Sequence, residues 1–347
     1  MKQGRTLTQL AMELERQAQA KRDFISDTRN MYMYSGNGLS VQTNGGRESF
    51  ILTPHAHGQI AARLNIPKKY YDTMQAEAPN LLNLNVNHWF KEKPEKRMVR
   101  TMDSHARAFL SNRYRRLDNL DVAESTLPIF SDMQVDLVSC NVTDQRLYLK
   151  ALFPKIQGEV TVGDVVQSGV VISNSEIGMG ALSVQALIFR LVCKNGMISA
   201  DASMRKYHVG RLNEDEGLLG MLQDDTLQAD DKAFMLKLRD TVKATASEAG
   251  FKMIIDRFRE ASKVKIDDPV GTVELVQKKF ALNDGEGKGI LKHLIEGGDL
   301  SKYGLANAVS RYSQDVEDYD KATDFEAMSG RVIDLNPGEW KEIQAAA

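Results

Sequence analysis

The sequence predicts an α+β protein: a largely antiparallel, β-rich central region with flanking helices and a helical C-terminal part. Three observations carry this. Six strand-like runs fall between residues 97 and 192. Beyond residue 212, apolar residues recur every three or four positions instead. The first ninety residues mix one amphipathic helix, a hairpin and a pair of short helices. The corresponding division is 1–90, 91–212 and 213–347, and a chain of 347 residues is long enough for two or three domains.

Taken in order, Leu7, Leu10, Ala11, Leu14 and Ala18 lie at helical spacing, so residues 5–22 should form a helix. The runs 38–43 and 48–52 bracket Asn44-Gly45-Gly46, a hairpin turn. Thr53 followed by Pro54 reads as an N-cap with proline at the first helical position. That helix should reach Leu64, and Pro67 should open another through Met74. Strands are expected at 97–102, 105–111, 134–142, 145–153, 165–173 and 182–192, interrupted by a helix over 118–130. Residues 174–180 (NSEIGMG) read as a glycine-containing connection and Asn195-Gly196 as a turn. Phe234, Leu238, Val242, Thr245, Ala249 and Met253 predict one continuous helix. Further helices are expected at 269–282, 288–296 and 303–313, with 283–289 as a loop and a polar, solvated segment over 315–326.

The hydrophobic share of 42% and charged share of 27% are those of an ordinary globular protein. No run of about 18 apolar residues is present, and the N-terminus has no apolar signal core. A cytoplasmic protein with no membrane partner is expected. Cys140 and Cys193 lie in apolar strand-like runs and read as buried, reduced thiols.

Charge is sorted along the chain. Residues 91–116 hold nine Lys/Arg against three Asp/Glu, although the net charge is only −2. Residues 213–231 hold seven Asp/Glu and no Lys or Arg. Cuts at 90 and 211 give segments of +3, +4 and −9. Such sorting concerns partners rather than fold. Arg113-Tyr114-Arg115-Arg116 places a ring among guanidinium groups; Arg205-Lys206-Tyr207-His208, followed by Arg211, does the same, and Arg146 to Lys150 is a looser case. Single-stranded nucleic acid offers phosphates to cations and base faces to aromatic rings. The expected nucleic-acid contacts are therefore Arg107, Arg113, Arg115, Arg116, Arg205, Lys206 and Arg211, with Tyr114 and Tyr207 stacking on bases. The bland alternative is a solvated basic face with its tyrosines in the core.

Other constellations carry less. His55 and His57 are two apart on a predicted helix and face different ways, with no acidic cluster beside them. Asp103-Ser104-His105 are adjacent, so they cannot form a triad by themselves and mark a turn. Gly285 to Gly289 has the letters of a phosphate loop without its spacing. No cofactor or metal site is expected. Residues 53–74 read as a plain helical hairpin rather than a DNA-reading helix-turn-helix.

Three strings carry a family resemblance: HARAFLSNRYRRLDN at 105–119, GVVISNSEIGMGALSVQALIFRLVCKNGMI at 169–198 and YGLANAVSRYSQDVED at 303–318. The chain resembles the phage/plasmid-like protein family, domain of unknown function 932, over roughly residues 20–320. The resemblance implies a mobile-element context and no activity, and it carries no functional residue across. The leading expectation is a non-enzymatic protein that binds single-stranded DNA in recombination, annealing or replication, with homo-oligomers compatible with that role. One rival is an interaction protein whose acidic helical part antagonises a host defence or regulatory protein. Another is an enzyme whose site is assembled from distant residues, which converging carboxylates would favour.

Overall fold

The computed structural model describes residues 1–43, 45–114, 116–180, 182–199 and 224–345. They form an α+β chain that divides into two packing units. The smaller unit is Ala11–Leu120 with Ser175–Gly180; the larger is Met1–Leu10, Asp121–Asn174 and Ala181–Ala347. The sequence segments with boundaries at 90 and 212 do not coincide with these units, because strands and helices distant in sequence share one core.

The smaller unit takes the C-terminal part of α1 (Leu7–Ala20), then β1 (Lys21–Asp27), β2 (Met31–Tyr34), β3 (Gly38–Thr43) and β4 (Gly46–Leu52). Three helices follow, α2 (Pro54–Arg63), α3 (Lys68–Glu77) and α4 (Pro79–Glu92), and then β5 (Lys96–Met102) and β6 (His105–Ser111). The sheet order is β1-β5-β6-β4-β3-β2. All pairings are antiparallel except β4 with β6, joined at Ile51↔His105 and Leu52↔Ala106. Strand alternation sends Met33, Leu39, Val41, Phe50, Val99 and Phe109 inward against Ile60, Tyr71, Leu82 and Phe90 of the helices. Thr53 caps α2 by accepting from the Ala56 N–H. Asp103 and Ser104 take φ of 48° and 67°, the left-handed pair that a two-residue hairpin turn requires.

The chain passes through α5 (Asn119–Asp132) into β7 (Asp136–Val142), β8 (Leu147–Glu159), β9 (Val165–Asn174), β10 (Ser183–Arg190) and β11 (Asn195–Ile198). These five strands form an antiparallel sheet of order β11-β10-β9-β8-β7. Helices α6 (Asp224–Thr245), α7 (Glu248–Lys263), α8 (Pro269–Phe280), α9 (Asp284–Gly297), α10 (Lys302–Tyr312), α11 (Tyr319–Asp334) and α12 (Pro337–Ala345) complete the larger unit. Its core joins Val166, Ile188 and Met197 of the sheet to Phe251, Phe258, Leu305, Val309 and Phe325.

Several local expectations are corrected. The helix expected through 234–253 is two helices, since Ser247 accepts from the Gly250 N–H and starts α7. Residues 284–289 lie inside α9, where Asn283 and Glu286 form a reciprocal capping box. Asn195 and Gly196 begin β11, and the turn precedes them. The charged stretch 315–326 leads into α11, whose Tyr319, Phe325 and Glu326 are buried. Cys140 is buried, but Cys193 is exposed. No helix among the described residues is long and apolar enough to cross a membrane.

Candidate nucleic-acid interface

In the smaller unit β5 and β6 each turn one face to the core and one away from it. Met98, Ala108 and Leu110 lie on the away side, where they pack with Ile177, Met179 and Tyr114. The register shifts so that Arg100 pairs with Ala108 and Thr101 with Ala106, leaving Arg107 as the extra residue of a bulge. The segment 175–180 is anchored through its backbone. His55 Nε2 and Gln59 Nε2 each lie 2.8 Å from the Ile177 carbonyl, and Gln59 Oε1 accepts from the Phe109 N–H at 2.7 Å.

A buried charge network closes around Glu176, whose side chain is 1% exposed. Lys21 Nζ donates to its Oε1 at 2.6 Å, and the Asn119 backbone N–H donates to the same oxygen at 2.7 Å. Arg107 Nη1 lies 3.3 Å from Oε2. Arg100 forks across two carboxylates, with Nε to Asp23 at 2.9 Å and Nη2 to Asp118 at 2.6 Å. Its Nη1 donates to the Glu176 carbonyl at 2.9 Å. Burial alone would raise the Asp118 carboxyl, but Arg100 and Lys21 outweigh it and hold that group below the ordinary carboxylate range. Three cations thus face three carboxylates. Asp23, Asp118 and Glu176 do converge, but in contact with these cations, and among the described residues no group of His, Cys, Asp and Glu is arranged to hold a metal.

The expected contact residues separate on this frame. Arg107 is corrected: at 7% exposure and bonded to Glu176, it is part of the interior rather than a phosphate contact. Tyr114 is half-buried, its hydroxyl donating to the Ser175 carbonyl at 3.2 Å, and burial raises its pKa. Arg113 is exposed. Arg116 is 56% exposed and lies 3.5 Å from Asp23 Oδ2. Arg115, Arg205, Lys206, Tyr207 and Arg211 lie outside the described residues, as does most of the acidic run 213–231. The looser third segment belongs to the core of the larger unit. Tyr148 is 2% exposed, and Lys150 Nζ meets Glu326 at 2.7 Å with both side chains fully buried.

Sequence reasoning missed Lys21, Asp23, Arg100, Asp118 and Glu176. The signal available was charge on strand positions next to apolar ones, and the glutamate inside the string Ser173-Asn174-Ser175-Glu176. His55 and His57 both hydrogen-bond within the fold. The first anchors Ile177, while the second sits between Tyr71 and Asn37 at 2.8 and 3.0 Å.

The molecule is therefore an α+β protein with a basic loop on a charge-locked sheet. It belongs to the family described as Domain of unknown function (DUF932), whose model matches residues 106–329, more than half of the chain. No match to the chain was found among curated proteins or among solved structures.

Proposed function

We propose that this chain is a non-enzymatic, cytoplasmic nucleic-acid-binding protein of a phage or plasmid, holding single-stranded DNA during recombination, annealing or replication. The observation that carries the reading is the loop after β6. Arg113 and Arg116 face solvent there, with Arg115 between them in sequence, while the half-buried Tyr114 pins the loop at its root. The contact between Arg116 and Asp23 is solvent-exposed at the arginine, and such pairs are worth little. A phosphate can take its place.

Cations that neutralise phosphates release counterions, so affinity for oligo(dT) should fall with salt at a slope of about −0.7 per phosphate contacted. Replacing Arg113 and Arg116 together with alanine should flatten the slope by about 1.4. A double variant that binds as tightly as the parent at every salt concentration refutes the assignment.

A further inference from the structure

The outward face of β2, β3 and β4 in the smaller unit carries side chains that stand outside both the core and the basic loop. Strand alternation places Tyr32 and Tyr34 of β2, Ser40 and Gln42 of β3, and Arg47, Ser49 and Ile51 of β4 on this side. Their inward neighbours Met33, Leu39, Val41 and Phe50 make the core. The registers align them in rows: Tyr34, Gly38 and Ile51 in one, Tyr32, Ser40 and Ser49 in the next, Gln42 and Arg47 in the third. A solvent-facing sheet side is ordinarily polar. Here Tyr32 is 48% exposed and Ile51 is 48% exposed.

Two features fix what this face would hold. The residues beside the rings are small, Gly38 next to Tyr34 and Ser40 next to Tyr32, and Tyr32 is exposed while Tyr34 is half-buried. The Tyr34 ring packs against Gly38, where any Cβ would collide with three ring atoms. The face also contains one cation and no carboxylate. Arg47 Nη1 lies 3.5 Å from Ser40 Oγ, and among the described residues its guanidinium meets no acid. Ile51 is the one aliphatic side chain in the three rows. An exposed ring beside a half-buried one, small polar neighbours and an unneutralised guanidinium complement bases and phosphate.

We infer that the outward face of β2, β3 and β4 is a stacking platform for the bases of a single strand, with Tyr32 and Tyr34 as the rings and Arg47 as its phosphate contact. This rests on the single-strand-binding reading above and adds a second surface to it.

The test compares oligo(dT) with an abasic oligomer of equal length, which has the phosphates and no bases, on the full chain. Tyr32→Ala with Tyr34→Ala should weaken oligo(dT) binding by about five- to 150-fold per ring, leaving abasic affinity and the salt slope unchanged. Phenylalanine at both positions should restore binding, since the ring and not the hydroxyl stacks. Gly38→Ala should weaken oligo(dT) binding by displacing the Tyr34 ring. Arg47→Ala should shallow the salt slope. Should the double variant lose its fold, Tyr32→Ala alone and oxidative footprinting of the parent are read instead, with protection of Tyr32 by oligo(dT) expected. A parent that binds no single strand at low salt overturns both readings together. A parent whose binding depends on Arg113 and Arg116 but not on the tyrosines overturns the platform alone. So does a double variant that loses self-association while binding oligo(dT) normally, which would give the face to a second copy of the chain.

Discussion

At the scale of single residues, His57 shows how burial sets chemistry. Its ring is 2% exposed. Nδ1 lies 2.8 Å from the Tyr71 hydroxyl, and Nε2 lies 3.0 Å from both Asn37 Oδ1 and Gln75 Nε2, so both ring nitrogens of the neutral imidazole have partners. Burial, with a smaller contribution from Lys68, pushes its pKa down from 6.5 to about 4, against a weak opposing pull from Asp72. The unfolded chain therefore binds the extra proton first as pH falls. Stability from this group is complete above pH 6.5 and drains away between 6.5 and about 4, by roughly 3 kcal/mol at most. Urea unfolding across that window should show the loss, and NMR should show the imidazole still neutral at pH 5.5. A His57 resonance titrating with a midpoint near 6.5 would contradict this. The H-x-H spacing could not reveal that the two rings serve different partners, because those partners lie 14 or more positions away.

At the scale of elements, strands and helices were legible where apolar periodicity was clean. The runs predicted at 105–111 and 165–173 match β6 and β9 closely. Three strands were invisible for physical reasons: β1 (KRDFISD) mixes charges on both faces, β2 is four residues long, and the four-residue β11 opens on Asn195-Gly196, a turn-like pair. Helix α4 hid behind its asparagines, which do structural work. Asn87 lies beside the edge strand β2, its Oδ1 accepting from the Met33 N–H and its Nδ2 donating to the Met33 carbonyl, each at 2.8 Å. One side-chain amide thus completes the pairing that a further strand would supply, blunting the sheet edge. Asn87→Leu leaves both backbone groups without partners and should cost about 2 kcal/mol or more. Asn87→Asp, which keeps only the acceptor, should also be destabilising. Equal urea midpoints for Asn87→Leu and the parent would show that water replaces the amide without penalty. The capping box at Asn283 was readable in principle, since a glutamate stands three positions on, but the glycines of NDGEGKG masked it.

At the scale of the whole molecule, chain order and packing order part company. Residues 174–180 were correctly read as a connection between two strands, yet residues 175–180 belong to the unit built from residues 11–120. Nothing local announces this, because the partners of Glu176 come from Lys21, Arg107 and Asn119, all more than fifty positions away. The same distance explains why the basic segment looked freer in sequence than it is: Arg100 and Arg107 belong to the locked network, and Arg113 and Arg116 remain outward. Burying this network costs desolvation that is recovered only while every charge keeps its partner. Glu176→Gln keeps the shape and the acceptor for the Asn119 N–H but removes the charge that faces Lys21 and Arg107. Breaking a buried pair in this way should destabilise the protein by about 3–5 kcal/mol. The loss should appear in hydrogen exchange as earlier opening of β1, β5 and β6, the strands that carry the cations. A doubly neutral variant, Glu176→Gln with Lys21→Met, should recover part of the loss, because it no longer strands an ammonium in the interior. If Glu176→Gln exchanges and unfolds like the parent, the carboxylate is not the lock that ties residues 175–180 to their unit.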